Sequence, residues 1–144
     1  MKEIYLNWKN YHHLVLKLSK KINFKSDFIV CINRGGLVIG RILSEAFKKP
    51  LAVITANSYK GRKKCNLKIG SISTICPVRG KVLLVDDKAD TGQTLDRVKK
   101  KIEKIKGVKV VKTACLYKMP KSKFKPDWFI KEVDCWVVFP YEAR

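Results

Sequence analysis

Acidic side chains are scarce. The 144-residue chain has 12 Asp and Glu against 32 Lys and Arg, a formal net charge of +20. That balance favours a polyanionic partner or substrate: nucleic acid, an acidic membrane or a phosphate-rich metabolite. A proteome biased toward lysine gives the same number with no such partner. The basic residues are spread along the chain rather than gathered in a tail, which weakens the case for a dedicated nucleic-acid arm. Long apolar runs are also missing. None approaches the roughly eighteen residues needed to cross a bilayer. The opening MKEIYLNWKN has charge and Asn where a signal peptide needs an apolar centre. The expectation is a cytoplasmic protein with no membrane span.

Five cysteines, at 31, 65, 76, 115 and 135, are odd in number and widely spaced. Neither a disulfide framework nor a zinc site is indicated. Cys31, Cys76, Cys115 and Cys135 fall in apolar, strand-like runs and read as small buried hydrophobes in a reducing compartment. Cys65, in a polar basic stretch, reads as an exposed incidental thiol. Repeats, low-complexity tracts and linkers are absent, so residues 1–144 are read as one domain, long enough for a proper core.

Apolar content is 46%, and its pattern alternates between two periods. Residues 3–6 (EIYL) form a short strand candidate. Trp8, Tyr11, Leu14, Val15, Leu18 and Ile22 recur at helical spacing. Residues 28–32 (FIVCI) run continuously apolar, as a strand covered on both faces does. A helix is predicted from 37 to 47, stopped before Pro50, then a strand at 51–55 (LAVIT). Residues 57–67 (NSYKGRKKCNL) show no period and read as a loop, with 69–75 pairing as antiparallel strands near it. A third buried strand at 82–85 precedes a helix at 94–105 that Gly107 ends. Further strands are predicted at 108–116, 128–130 and 136–139. Strands alternating with helices predict an α/β domain with a mainly parallel, twisted sheet flanked by helices.

Three of the twelve acids occupy five positions, in VLLVDDKADTGQTL at 82–95. Ligands of open α/β sheets bind beyond the carboxyl ends of the strands, where Asp86 and Asp87 stand. The loop that follows, with the N-terminus of the next helix, supplies backbone N–H groups for an anion. Gly92 allows close backbone approach, and Thr91 and Thr94 add hydroxyls. Acids repel phosphate but suit sugar hydroxyls or a divalent cation bridging to phosphates. The segment therefore fits a phosphorylated sugar with magnesium. A plain strand–turn–helix with Asp caps is the structural alternative.

The whole run resembles the phosphoribosylpyrophosphate (PRPP) signature of type I phosphoribosyltransferases, and not the Walker A loop or the dinucleotide Gly-rich turn. Asp90, just before Thr-Gly, resembles the subgroup that acts on 6-oxopurines. The resemblance implies that Asp90 accepts the purine N7 proton; Lys88, two residues away in sequence, could hold it ionised, its geometry being open at this point. It implies that Asp86, Asp87, Asp90, Thr91, Gly92, Gln93 and Thr94 bind PRPP and that Asp86 and Asp87 help to hold Mg2+. Ile32-Asn33-Arg34-Gly35-Gly36-Leu37 resembles the family's pyrophosphate loop, with Arg34 and Gly35 on the leaving group. An unusual cis peptide is often found there. Ser58 and Tyr59 lie where the family has a flexible lid, in a stretch more basic than the xanthine-guanine type.

Lys118 resembles the lysine that reads the purine 6-oxo group. Residues 134–142 resemble the segment that closes the base pocket, with Trp136 stacking on the base and the Val137 backbone at its edge. His12 and His13 match no catalytic position and read as surface or packing residues. The resemblance spans nearly the whole chain. It implies the type I phosphoribosyltransferase fold with a small hood from the terminal segments, purine salvage with release of pyrophosphate, and a dimer or tetramer. The alternative is a PRPP- or nucleotide-sensing regulator of the same fold that binds nucleic acid through its basic surface. The presence of Asp90 tells against it, since a pure sensor need not keep a base.

Overall fold

The computed structural model describes residues 2–60 and 63–143, without the side chains of 58–60 and 63–65. In chain order the elements are β1 (Glu3–Tyr5), α1 (Trp8–Lys21), β2 (Phe28–Asn33), α2 (Leu37–Phe47), β3 (Leu51–Lys60), β4 (Lys63–Ser73) and β5 (Gly80–Val85). There follow β6 (Lys88–Ala89), α3 (Gln93–Glu103), β7 (Val108–Ala114), β8 (Tyr117–Lys118), β9 (Lys131–Glu132) and β10 (Trp136–Val138).

The central sheet has the order β4-β3-β2-β5-β7, parallel except for the β3–β4 pair at one edge. Its middle strands are apolar throughout because both faces are covered. In β2, Ile29 and Cys31 join Leu83 and Val85 of β5 against α1 and α2. Phe28, Val30 and Ile32 join Val82 and Leu84 against Leu95, Val98 and Ile102 of α3. The alternation of side chains along each strand thus divides one run of sequence between two cores. The helices dock by narrow stripes: Tyr11, Val15 and Leu18 of α1, and Ile39, Gly40 and Leu43 of α2, are the buried positions. Asn7 caps α1, its side chain accepting from Asn10 N at 2.8 Å. Lys48 ends α2 in the left-handed region, with φ 54°.

Above the sheet, β1 and β10 pair in parallel, joining the chain's two terminal segments. A small sheet, β6-β8-β9, sits beside them. The β1–β10 pair is the part that comes from the terminal segments, where a hood was expected, whereas β6, β8 and β9 are internal to the chain.

Three sequence expectations need correction. Within the stretch read as a loop at 57–67, residues 57–60 and 63–67 are strand, β3 and β4 pairing antiparallel there, while 61 and 62 lie outside the described residues. The pairing shifts register between Ile54 and Ala56 and again between Asn57 and Tyr59, and such irregularities erase the period-2 signal. Residues 128–130 are not a strand. Trp128 makes one isolated bridge to Ala114, and its apolar character reflects packing on Phe24, ring centroids 5.9 Å apart. Cys76 is exposed rather than buried, because the chain leaves β4 at Ser73 and Ile75 beside it is 95% exposed. Cys31, Cys115 and Cys135 are buried as expected. Burial pushes the Cys31 thiol up to about 11 and that of Cys115 well above its usual value, so both remain protonated. Cys65 lies outside the described side chains, and His12 and His13 are exposed on α1.

Gly40 is where α2 meets the sheet most closely. A Cβ there would lie within van der Waals overlap of Cys31 Cβ. Gly40→Ala is therefore expected to destabilise the fold by about 1–3 kcal/mol through overpacking. Thermal unfolding should show this as a midpoint several degrees lower.

Candidate active site

The strand order proceeds outward from the β2–β5 pair on both sides, to β3 on one and β7 on the other, so the crevice beyond the carboxyl ends of β2 and β5 is the switch point at which ligands of such sheets bind. Cys31 of β2 stands opposite Val85 of β5. The turn at 34–36 and the acids 86–87 therefore leave the sheet side by side. The Asn33–Arg34 peptide bond is cis. Gly36 N donates to Ile32 O at 2.8 Å and Leu37 N to Arg34 O at 3.1 Å, folding the turn back into α2. Arg34 is exposed. The absence of side chains at Gly35 and Gly36 is what allows the packing. A Cβ on Gly35 would meet the Asp87 carboxylate, and one on Gly36 would lie 2.7 Å from Val85 O.

Asp86 and Asp87 are neighbours, both half-buried. Burial, then the charge of Asp87, pushes the Asp86 carboxyl well above the usual carboxylate range. Burial raises Asp87 as well, against a hydrogen bond from Tyr141 and the charge of Lys88. Asp86 Oδ1 accepts from Asp87 N at 2.8 Å. Two carboxyls held uncomfortably together suit a divalent cation. Among the described residues no three His, Cys, Asp or Glu side chains converge as metal ligands, so a cation here would draw its other ligands from bound oxygens.

The loop from Asp90 to Gly92 leads into α3. Gly92, with φ 84°, turns the backbone into the helix, and its missing side chain admits Phe124 and Ser122. Thr91 Oγ1 accepts from Gln93 N at 3.3 Å. The first N–H groups of α3 have no intrahelical acceptor: that of Gln93 is given to Thr91 Oγ1, and that of Thr94 lies at the helix N-terminus, where an anion would be favoured.

The small sheet brings the remaining candidates in. Ala89 is in register with Lys118, which sets Asp90 and Lys118 at the same end of adjoining strands. The Lys118 side chain is 12% exposed and donates to Glu132 Oε2 at 3.2 Å and to Met119 O at 3.3 Å. An ammonium has three donors, so a ligand carbonyl has one to meet. Lys88 does not serve Asp90. Its ammonium lies 3.9 Å from the centre of the Trp136 ring. Asp90 Oδ1 instead pairs with Lys121 Nζ at 3.0 Å, because the chain turns out of β6 toward residues 119–123, with Lys123 N donating to Thr91 O. Trp136 is 39% exposed and Val137 is buried within the β1–β10 pair. The side chains of Ser58 and Tyr59 lie outside the described residues.

Residues 2–143 match the phosphoribosyl transferase domain family. The chain belongs to that family. It is 24% identical over 149 residues to a xanthine-guanine phosphoribosyltransferase of Idiomarina loihiensis, covering 99% of this chain and 89% of that one. Its fold is similar to the crystal structure of a purine phosphoribosyltransferase from Pyrococcus horikoshii, with a TM-score of 0.86 and 33% identity over 100% of this chain and 96% of that one. It is also similar to a xanthine-guanine-hypoxanthine phosphoribosyltransferase from Helicobacter pylori, with a TM-score of 0.85 and 27% identity over 99% and 95% of the two chains.

Sequence reasoning passed over Lys121, Glu132 and Tyr141 as parts of this site. The Tyr141 hydroxyl lies 2.6 Å from Asp87 Oδ2 and 3.1 Å from Gly35 O. Lys121 and Glu132 are single charges among many, and Tyr141, though inside the 134–142 segment, meets partners 54 and 106 positions away that no local pattern marks.

The acid pair sets a stability prediction. A carboxyl whose folded pKa is raised contributes fully below its unfolded value of about 4. That contribution is lost as pH climbs through the folded value. Ligand-free Asp86→Asn should therefore melt several degrees above the parent protein at pH 7, and the gap should close in acid. Gly35→Ala, by contrast, drives a methyl group into the Asp87 carboxylate. Calorimetric titration with PRPP should show affinity lowered at least tenfold.

Proposed function

We propose that this chain transfers the 5-phosphoribosyl group of PRPP to a 6-oxopurine (hypoxanthine, guanine or xanthine), releasing pyrophosphate in purine salvage. The reading rests above all on Asp90 and Lys118 standing at the same end of the adjoining strands β6 and β8, with Trp136 held against Lys88, two residues before Asp90. These sit beside a glycine turn and an acid pair at the sheet's switch point. The similarity to the Pyrococcus purine enzyme over the full chain supports it. The regulatory, nucleic-acid-binding alternative is not favoured.

The backbone donors from Asp90 to Thr94 would grip the 5′-phosphate. The exposed Arg34 and the N–H groups of its turn would take the pyrophosphate. Asp86 and Asp87 would hold Mg2+ together with ribose and pyrophosphate oxygens, and that ion supplies charge neutralisation for the leaving group. The C1′–oxygen bond to pyrophosphate breaks, purine N9 forms the new bond to C1′, and Asp90 takes the proton from N7. Lys118, already directed by Glu132, donates to the 6-oxo oxygen and so favours a carbonyl over an amino group. Trp136 stacks on the base. Positioning and electrostatics supply most of the rate. Ser58 and Tyr59 would belong to the lid, and a dimer or tetramer is the expected assembly. The free thiols among the described residues accord with a reducing cytoplasm.

Pyrophosphate release is to be followed with PRPP, Mg2+ and each of hypoxanthine, guanine, xanthine, adenine and orotate. Release with one or more of the first three alone is expected, and silence with all of them would reject the transferase reading. Asp90→Asn should lower kcat about 10²-fold or more while PRPP still binds. An unchanged kcat would remove Asp90 from the proton transfer.

A further inference from the structure

The transfer chemistry leaves Tyr141 without a task, yet its hydroxyl touches both PRPP loops. It lies 2.6 Å from Asp87 Oδ2, at the end of β5, and 3.1 Å from Gly35 O, in the turn after β2. Both partners are acceptors and a phenol has one proton, so the hydroxyl serves one of them fully at a time. A phenol is protonated at neutral pH, so it is a donor here.

The ring is placed by packing that does not involve those loops. It stacks on Phe139 at 5.5 Å and 4°, and meets the edge of Tyr11 at 5.7 Å and 89°. Tyr11 is fully buried. A tight turn aims the ring: Glu142 N donates to Phe139 O at 3.0 Å, and Phe139 N donates to Glu142 Oε2 at 2.6 Å. Pro140 takes the second position of that turn, where its fixed φ is favourable. Five residues earlier on the same short segment stands Trp136, assigned above to the base. One stiff piece of chain therefore carries the base platform at one end and a donor to both PRPP loops at the other.

We propose that Tyr141 is a positioning residue that couples the PRPP site to the purine site. The inference rests on the function proposed above. When a ribose hydroxyl or a cation engages Asp87, the single Tyr141 proton turns to Gly35 O, and the segment from Trp136 to Tyr141 settles in its base-binding position. The two hydrogen-bond arrangements are the two discrete states that both ligands bias. By reciprocity, purine strengthens PRPP by the same factor as PRPP strengthens purine.

The test is a calorimetric cycle on the full chain with Mg2+ present. The probes are PRPP and 9-deazaguanine, a purine analogue with carbon in place of the attacking nitrogen, so the ternary complex does not react. The affinity of 9-deazaguanine is measured without PRPP and with PRPP saturating. In the parent protein PRPP should tighten it about tenfold, within the usual range of coupling between sites. In Tyr141→Phe, which keeps the ring and its packing, the ratio should fall to within about twofold of one. Since the ratio is formed within each protein, a general loosening of either site does not imitate this result. An undiminished ratio in Tyr141→Phe, or a ratio of one in the parent, overturns the coupling. A parent protein that binds PRPP but neither binds the analogue nor uses any 6-oxopurine overturns the function on which the coupling rests.

Discussion

The structure turns on the contact between a glycine and a carboxylate. Gly35 and Asp87 follow adjacent central strands at the same carboxyl end of the sheet, and only the absence of a Cβ on Gly35 lets the two loops approach. The same economy recurs at Gly36 against Val85 O and at Gly92 against Phe124 and Ser122. At these points the loops are pressed together more closely than any side chain permits. Backbone donors, an arginine and two carboxylates are thereby gathered at the carboxyl end of the sheet where a phosphorylated sugar would lie.

A chain with a formal charge of +20 gives its rare acids an unusual setting. Asp86 and Asp87 are half-buried, and burial makes each ionise less readily than in water, the charge of Asp87 adding to the effect on Asp86. Lys88 sits close by but spends its ammonium on the Trp136 ring, and Lys121 pairs with Asp90. The acids are thus partly, not fully, compensated by the protein. Keeping two half-buried carboxyls side by side costs the fold stability, because burial disfavours their charged form. The lysines that matter here are singled out by strand register and loop path rather than by number.

Much of the fold was legible because burial on two faces writes itself into sequence. The unbroken apolar runs of β2 and β5 and the helical stripe of α1 have one simple reading each. The limits of α2 were marked by the turn before Leu37 and by Pro50 beyond Lys48. The β3–β4 hairpin was misread because its polar composition and register shifts leave no period to follow. Residues 128–130 misled in the opposite sense, since an apolar triplet can pack on a core without joining a sheet. In the candidate site, the acids, Gly92 and the hydroxyls from Asp86 to Thr94 were legible as a group because one strand–loop–helix unit holds them all.

By itself, then, the sequence determined the local apparatus: the apolar strands, the glycines beyond them, the clustered acids and the PRPP signature that they compose. Each follows from residue types a few positions apart, governed by backbone geometry and short-range chemistry. Only the tertiary structure decided which lysine meets which acid, that Lys88 lies on Trp136, and that Tyr141 reaches Asp87 and Gly35. Those contacts join residues up to 106 positions apart, and their geometry is set by sheet order, strand register and the packing of the terminal hood. No local rule encodes such distances, because they arise only when the hydrophobic cores on both faces of the sheet are closed.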